Sequence, residues 1–330
     1  MKPLTGLLLV FWLGAFTGCA RFPSDKTAPS TVNTSPPRFV LAWGKKGEGP
    51  GEFRSPIGIA ISRQDEIFIA EFNANRVQKF DSSGKFLAQF PVVDHPGGIA
   101  VGKDGRLYVT SMLHPAVYVY DSYGNKLLEW GKLGTGDCEF DQPGGLAIGP
   151  DGTLYVADQG NHRVQRFTLD GGFLECWGGH GREPGRFGGG DKPRSRFGGP
   201  HFLAFDRQGN VYTTESHDGR IQKLTADGKP LLAWGDNSDG PGGFGGRPKS
   251  VRNPLLGPIG VCVDSRGRVW VGATNNRIQL FTTEGKYLLG FGGEGEQPGQ
   301  FRLPHAMAMD SKGFVYVVDA SNQRIQKFAP

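Results

Sequence analysis

Short apolar runs separated by tight turns recur along this chain, and residues 144–177 show the pattern most clearly. Three runs lie at residues 146–148, 154–156 and 163–167, and a fourth spans residues 173–177. The turns between them include Pro-Asp-Gly and Leu-Asp-Gly-Gly, whose glycines accept the positive φ that tight turns need. Four short β-type runs at even spacing predict one four-stranded antiparallel sheet. Such a sheet cannot bury both faces by itself, so the pattern also predicts repetition.

The unit recurs six times along the chain. A proline opens each first strand, at Pro56, Pro96, Pro143, Pro200, Pro258 and Pro304. The third strand ends at Phe80, Phe167, Leu224, Phe281 and Phe328, and the second repeat departs from this pattern at Tyr120. The last repeat has no fourth strand. Residues 39–44 have the fourth-strand pattern, and no first three strands precede them. We therefore predict an all-β, six-bladed β-propeller of four-stranded antiparallel blades, in which strand 39–44 completes the last blade and closes the ring.

The consensus of the six copies is G-x-A-x-D-x-x-G-x-[LIV]-[YF]-V-x-D-x-x-N-x-R-[IV]-Q-x-F. This pattern resembles the NHL repeat over residues 39–330. The resemblance implies the propeller fold. It does not imply one function, because propellers host many unrelated activities.

The N-terminal segment has the features of a secretory signal. Lys2 precedes an apolar run at residues 7–16 that is too short to span a bilayer. Thr17-Gly18-Cys19 resembles a bacterial lipobox, which predicts lipidation of Cys19 and a lipid anchor without a transmembrane helix. The lipoprotein signal would span residues 1–19; the alternative is an ordinary cleaved signal with a chance cysteine, which would make the protein secreted. Ala20 then favours, by the same resemblance, the outer membrane of a cell envelope, facing the periplasm or the cell surface.

The prediction divides the rest of the chain into a tether and one domain. Residues 20–37 are rich in Pro, Ser and Thr, which is typical of a flexible linker, and residues 38–330 form the propeller. The 53 glycines and 23 prolines fall at turns and blade junctions. The formal net charge of +5 is mild and does not by itself predict a nucleic-acid partner. Because the chain has a secretory signal, we expect no such partner, and we expect a monomer.

Three cysteines follow the lipobox cysteine. Cys262 lies in an apolar first strand and is predicted to be buried. Cys138 and Cys176 bracket the third blade. The sequence leaves open whether they pair, and at least one of the three thiols stays unpaired.

All seven histidines map to one face of the predicted propeller, where the second-to-third-strand loops meet the longer blade-to-blade loops. The turns of the opposite face are short and are predicted to be structural. Because varied loops carry function more often than tight turns, we expect any site to lie on the histidine face.

Two of these histidines stand out because each follows the proline of an innermost strand. His201 and His305 should face the mouth of the central channel from blades 4 and 6. Blade 2 has Gly97 at the equivalent position, with His95 two residues earlier. Three imidazoles around one axis would suit Zn²⁺ with an open fourth position, which makes His95, His201 and His305 a candidate zinc site. The alternative is a pair of hydrogen-bonded structural histidines.

This arrangement is similar to that of peptidyl-α-hydroxyglycine amidating lyase, whose zinc histidines follow prolines in alternate blades. His201 and His305 match that motif residue for residue, and His95 is only near it. The family's catalytic tyrosine has no counterpart in the loop at residues 158–162, and no matching arginine is identifiable. No catalytic residue is assigned.

Two recurring features are predicted to be scaffold. A carboxylate that ends the second strand pairs with an arginine that begins the third, which closes the hairpin; the pairs are Glu71–Arg76, Asp158–Arg163, Glu215–Arg220 and Asp319–Arg324. A phenylalanine after each Gly/Pro-rich junction is predicted to fill the gap between blades, at Phe53, Phe140, Phe187, Phe244 and Phe301.

Two long junction loops carry excess positive charge beside blade 4. With two nearby histidines they form a candidate ligand-binding rim for an anionic ligand, and the alternative is that they are solvated loops. The residues are Arg182, Arg186, Lys192, Arg194, Arg196, Arg247, Lys249, Arg252, His162 and His217.

No nucleophile triad, phosphate-binding loop or carboxylate dyad occurs. The sequence therefore favours a membrane-tethered, non-catalytic propeller that binds a protein, peptide or glycan through its histidine face. The alternative is a zinc-dependent lyase or hydrolase centred on His201 and His305. A calcium-dependent lactonase-like site is less well supported, because the channel-mouth positions carry no carboxylate.

Overall fold

The computed structural model describes residues 35–188, 198–245 and 257–329. Its strands form six four-stranded antiparallel sheets, as predicted, and the described part contains helical turns only at Gln159–Asn161 and Ala320–Asn322. The predicted signal, Cys19 and most of the tether lie outside the described residues. No described helix is long and apolar enough to cross a membrane.

The strands are, in chain order, β1 (Arg38–Trp43); β2 (Pro56–Ile61), β3 (Ile67–Glu71), β4 (Arg76–Phe80) and β5 (Phe86–Pro91) in blade 1; β6 (Pro96–Val101), β7 (Leu107–Ser111), β8 (Ala116–Tyr120) and β9 (Lys126–Trp130) in blade 2; the short pair β10 (Lys132–Leu133) and β11 (Glu139–Phe140); β12 (Pro143–Ile148), β13 (Leu154–Asp158), β14 (Arg163–Phe167) and β15 (Phe173–Gly178) in blade 3; the short pair β16 (His180–Gly181) and β17 (Phe187–Gly188); β18 (Leu203–Phe205), β19 (Val211–Glu215), β20 (Arg220–Leu224) and β21 (Pro230–Trp234) in blade 4; β22 (Pro258–Val263), β23 (Val269–Ala273), β24 (Arg277–Phe281) and β25 (Tyr287–Gly292) in blade 5; and β26 (Pro304–Met309), β27 (Val315–Asp319) and β28 (Arg324–Ala329) in blade 6.

The ring closes through its first strand. β1 pairs antiparallel with β28, from Arg38 opposite Ala329 to Trp43 opposite Ile325, and completes the sheet β1-β28-β27-β26. This confirms the predicted closure. β18 begins three residues after Pro200, and just before it the N–H of Phe202 donates to the Thr214 hydroxyl at 3.1 Å.

The hydrophobic core lies between blades. The second strand of every blade is buried along its whole length, and its second residue is a fully buried aromatic: Phe68, Tyr108, Tyr155, Tyr212, Trp270 and Tyr316. One cluster joins Phe80 and Ile59 of blade 1 to Tyr316 and Ile325 of blade 6. Burying each large apolar side chain stabilises the fold by about 1.5–3 kcal/mol, so neighbouring sheets hold one another in place.

The junction phenylalanines fill the gaps between blades, as predicted. All five are fully buried, and the ring of Phe53 lies 5.8 Å from that of Phe80. Gly44, which directly follows β1, has φ +99°, and a Cβ there would overlap the Phe53 ring. Glycine at this position therefore makes room for the aromatic ring.

The predicted ion pairs are also present, and they belong to a larger network. Arg220 Nε lies 2.8 Å from Glu215 Oε1, and the other three pairs are separated by 2.6–2.8 Å. Gln222 Nε2 donates to Glu215 Oε1 at 2.7 Å and to the Arg186 carbonyl at 2.8 Å. Each such network therefore fastens a junction loop to its blade. Blade 5 has Ala273 where the carboxylate would be, and blade 2 has Ser111.

The cysteines that follow the predicted lipidation site are all free thiols in the structure. Cys262 is buried, as predicted, and burial raises the pKa of its thiol. Cys138 and Cys176 do not form a disulfide.

Candidate functional site

A cavity of about 380 Å³ opens at the centre of the histidine face, and we call it the funnel. Its wall is largely apolar, with Ile57, Phe72, Met112, Phe202 and Leu303 from four blades. The starts of the innermost strands reach it, because every first strand begins at this face. The funnel therefore has the size and character of a small-ligand pocket.

His201 and His305 lie side by side in the funnel. Their ring centroids are 5.6 Å apart and their planes meet at 70°, in an edge-to-face arrangement. Only 6% and 7% of the two residues is exposed. The structure thus confirms that the two Pro-His dipeptides bring their imidazoles together, although the blades are separated by blade 5.

The Nδ1 atom of each imidazole is held by the scaffold. His305 Nδ1 lies 2.9 Å from the Ile57 carbonyl oxygen, and since a carbonyl only accepts, Nδ1 carries the proton. His201 Nδ1 lies 2.9 Å from the side-chain amide of Gln159. No hydrogen bond to a described residue involves Nε2 of either ring, so these atoms remain available to the funnel.

Both imidazoles are neutral at ordinary pH. Burial lowers the pKa of His201 to about 3, with a further contribution from His305. Burial lowers the pKa of His305 to about 4. The neutral tautomer of His305 therefore presents the lone pair of Nε2 to the funnel, and it can accept a hydrogen bond or coordinate a metal ion.

His95 lies apart from this pair. Its ring packs edge-to-face on Phe72 with centroids 4.6 Å apart, and it is not among the described residues that line the funnel. Blade 2 contributes Gly97 and Met112 instead. A Cβ on Gly97 would come within 2.9 Å of both Pro143 O and Thr110 Oγ1, so this position has no room for a side chain.

His201 and His305 have some of the features of metal ligands. A ligand histidine commonly ties its second nitrogen to a carbonyl or amide, as His305 and His201 do. Within residues 35–188, 198–245 and 257–329, however, no group of three His, Cys, Asp or Glu side chains is arranged to hold an ion. The residues present supply two ligands, which fit the zinc site of the sequence analysis only in part.

A second histidine pair, which the sequence analysis did not recognise as a pair, lies beside the funnel between blades 3 and 4. His162 and His180 contact edge-to-face with centroids 4.8 Å apart. His162 is 5% exposed, and neither ring nitrogen has a hydrogen-bond partner among the residues that the structure describes. Burial, followed by the proximity of His180, lowers its pKa.

Comparison with other blades explains why His162 is unusual. His162 has φ 56°, and the equivalent left-handed positions hold Asn75, Asn276 and Gln323. The side chains of these three accept the N–H of the residue before the next blade's proline, namely His95, Leu303 and Ser55, at 2.7–3.0 Å. Only a comparison of loop positions across repeats could have found this difference in the sequence.

The structure describes part of the candidate rim. Arg182 and Arg186 are exposed, and Arg186 Nη1 donates to the Gly178 carbonyl at 3.0 Å. His217 lies close enough to lower the pKa of His162 and His201 by electrostatic repulsion. Lys192, Arg194, Arg196, Arg247, Lys249 and Arg252 lie outside the described residues.

Comparison with known proteins agrees with the repeat pattern. The NHL repeat family model matches residues 53–80, 140–167 and 301–328, each from a junction phenylalanine to the end of a third strand. The chain contains NHL repeats. The three matched segments fall in blades 1, 3 and 6, which all carry the carboxylate network.

Relatives of these NHL repeats occur in different kinds of protein. Peptidyl-glycine alpha-amidating monooxygenase B of Xenopus laevis is 35% identical over 138 residues, which cover 39% of this chain and 15% of that protein. Human NHL repeat-containing protein 3 is 33% identical over 92 residues, or 26% of each chain. The match thus spans a small part of the amidating enzyme.

A solved structure supports the same fold. Virginiamycin B lyase from Staphylococcus aureus superposes with a TM-score of 0.55 over 84% of this chain and 95% of that chain, at 16% identity. At this identity the likeness shows the propeller fold alone.

Proposed function

We propose that this protein is a membrane-tethered, non-catalytic propeller that binds a protein or peptide segment in the funnel. One observation carries the proposal: an apolar cavity of about 380 Å³ contains two neutral imidazoles whose Nδ1 atoms are fixed by the scaffold. An apolar side chain of the partner would fill the space between Phe72, Met112 and Phe202. The lone pair on His305 Nε2 would accept a backbone N–H of the same segment, which fixes its orientation.

The tether in this proposal rests on the sequence of residues 1–37. A lipid on Cys19 would hold the propeller at the membrane of the cell envelope, and residues 20–37 would let it reach partners there. Radiolabelled palmitate incorporation into the expressed protein tests the anchor, and Cys19→Ser should abolish incorporation and release the protein from membranes. Incorporation that persists in the variant would contradict the lipobox assignment.

Binding can be tested with a minimal probe. N-acetyl-phenylalanine amide should bind the purified protein in isothermal titration calorimetry, and N-acetyl-serine amide should not. Met112→Asp places a charge in the funnel wall and should weaken binding about ten-fold or more. Leu113→Asp is the matched control, because Leu113 is 60% exposed and lies outside the funnel. Equal binding of the two probes, or equal loss in both variants, would rule out apolar recognition in the funnel.

A second candidate function is a metal-dependent lyase acting on peptidyl-α-hydroxyglycine. The observation that favours it is that, within the described residues, neither Nε2 atom has a hydrogen-bond partner, while both Nδ1 atoms are held by the scaffold. In such a reaction a base removes the hydroxyl proton, the carbon–nitrogen bond breaks, and the departing nitrogen gains a proton to give an amide and glyoxylate. Bound Zn²⁺ would contribute Lewis-acid polarisation, and His201 and His305 would be its protein ligands.

Metal content and activity decide between the two candidates. The lyase candidate predicts near-stoichiometric zinc in the purified protein, loss of that zinc in the double variant His201→Ala, His305→Ala, and glyoxylate release from N-benzoyl-α-hydroxyglycine. Zinc-free protein that also releases no glyoxylate after zinc is added would remove this candidate and leave the binding function.

A further inference from the structure

The far end of the central channel, opposite the funnel, forms a separate cavity of about 530 Å³. Six partly exposed apolar side chains ring it, each from the last position of a blade's first strand: Ile61, Val101, Ile148, Phe205, Val263 and Met309. We call this cavity the turn-side mouth, because the first-to-second-strand turns surround it. Accessible apolar surface therefore lines a concave site.

Three exposed cations stand around this ring. Arg63, Lys103 and Arg207 occupy equivalent positions in blades 1, 2 and 4, two residues after the apolar ring residue of each blade. None of the three makes an ion pair or a side-chain hydrogen bond with a described residue. Arg266 and Lys312 add exposed positive charge in the corresponding turns of blades 5 and 6.

The two carboxylates that line the turn-side mouth, Asp206 and Asp264, are buried and hydrogen-bonded. Asp206 is 5% exposed and accepts Asn210 Nδ2 at 2.8 Å and the Tyr212 hydroxyl at 3.0 Å. Asp264 is 3% exposed and accepts Arg268 Nε at 2.7 Å and Trp270 Nε1 at 2.9 Å. Because these negative charges point inward and the cations do not, the potential at the mouth is positive.

We propose that the turn-side mouth binds a small amphiphilic anion. Its apolar group packs on the six-residue ring, and its carboxylate or phosphate contacts Arg63, Lys103 and Arg207. The cavity volume lies in the range of small-molecule sites, and the planar guanidinium groups of Arg63 and Arg207 suit the paired oxygens of either acid. This site is independent of the function proposed for the funnel.

The same chemistry occurs in free acyl acids and phosphates and in the headgroup region of anionic lipids, so the test includes both. Octyl phosphate below its micellar concentration should bind with one site in isothermal titration calorimetry. Octanol has the apolar chain without the anion, and inorganic phosphate has the anion without the chain. Both should therefore bind much more weakly. Affinity should fall as salt is raised, because the cations are exposed.

Two triple variants with equal change in net charge make the test specific. Arg63→Gln, Lys103→Gln, Arg207→Gln should weaken octyl phosphate binding about ten- to hundred-fold. The control variant should change the affinity for octyl phosphate by less than about two-fold, because its positions lie outside the mouth. It carries Lys46→Gln, Lys85→Gln and Lys286→Gln. Failure of octyl phosphate to bind, or equal loss in both triple variants, would overturn the proposal.

Binding to lipid vesicles shows whether the anion is a lipid headgroup or a free molecule. Binding to phosphatidylglycerol-containing vesicles, but not to phosphatidylcholine vesicles, with the same dependence on Arg63, Lys103 and Arg207, assigns the mouth to a lipid headgroup. Binding of octyl phosphate without vesicle binding assigns it to a free metabolite. Vesicle binding that is unchanged in the mouth variant, with no octyl phosphate binding, would overturn the small-anion site.

Discussion

Removal of Arg220 tests how the blades are fastened together. Arg220 makes two hydrogen bonds to Glu215, at 2.8 and 3.0 Å, and one each to the carbonyls of Arg182 and Arg186, at 2.6 and 2.7 Å. Glu215 is fully buried. Arg220→Ala would leave a buried carboxylate without its cation, and breaking such a pair costs about 3–5 kcal/mol.

Blade 5 supplies a matched control for this change. Arg277 holds the same position at the start of its third strand, but Ala273 replaces the carboxylate, and Arg277 makes one hydrogen bond, to Asp239 O at 3.2 Å. Arg277→Ala removes the same side chain but leaves no buried carboxylate unpaired. It should therefore lower the free energy of unfolding by less than about 1 kcal/mol. Urea unfolding followed by tryptophan fluorescence measures both losses.

The pH dependence gives an independent check. Burial raises the pKa of Glu215 to about 7 even with Arg220 present, so Glu215 binds a proton more readily in the folded than in the unfolded chain. Its contribution to stability is largest at acidic pH and is lost as pH rises through 7. Without Arg220 the folded pKa rises further, so the variant continues to lose about 1.4 kcal/mol per pH unit above 7 relative to the wild type.

Two results would refute this reasoning. One is a loss for Arg220→Ala no larger than that for Arg277→Ala. The other is a stability difference between wild type and Arg220→Ala that stays constant or shrinks above pH 7. The double variant Glu215→Gln, Arg220→Ala should recover part of the loss and should no longer show the pH dependence.

Three further predictions concern the junctions and the histidines. His162→Asn should raise stability by about 1 kcal/mol, since asparagine at this position of blades 1 and 5 bonds the next blade's backbone; urea unfolding that shows a loss would contradict the repeat comparison. Phe244→Ala should lower stability by about 3–5 kcal/mol, because the ring is fully buried against Phe281 at 5.7 Å; the exposed Leu231→Ala is the control and should change stability little. The wild type should lose stability as pH falls from about 6.5 towards 4, because the folded pKa values of His201 and His305 lie below that of the unfolded chain and each contributes about 1.4 kcal/mol per pH unit. In the double variant His201→Gln, His305→Gln the free energy of unfolding should fall less steeply over this pH range. The same slope as in the wild type would mean that neither imidazole is buried and neutral.

The sequence predicted the architecture because the information for it is local and repeated. Turn glycines, apolar runs and the opening prolines specify each four-stranded sheet, and six copies leave one way to remove the exposed edge. The carboxylate–arginine pairs and the junction phenylalanines could also be predicted, since their spacing spans one loop and recurs. The bonds from Arg220 and Gln222 to carbonyls of the junction loop could not, because they join segments that lie far apart along the chain.

The candidate site depended more strongly on the tertiary structure. The proline-histidine dipeptides correctly located His201 and His305 at the channel, because the start of a first strand has a fixed place in the propeller. His95 is only two residues from the equivalent position, yet it packs on Phe72, and the Pro143 carbonyl and Thr110 hydroxyl leave no room for a side chain at Gly97 itself. Likewise the charge at the turn-side mouth became visible only when side-chain pairing was known, because the structure buries the lining carboxylates of Asp206 and Asp264 and leaves Arg63, Lys103 and Arg207 exposed. The sequence by itself thus determined the fold and the end of the channel at which His201 and His305 lie, through local periodicity, whereas long-range packing between blades decided which side chains meet and which charges remain unpaired.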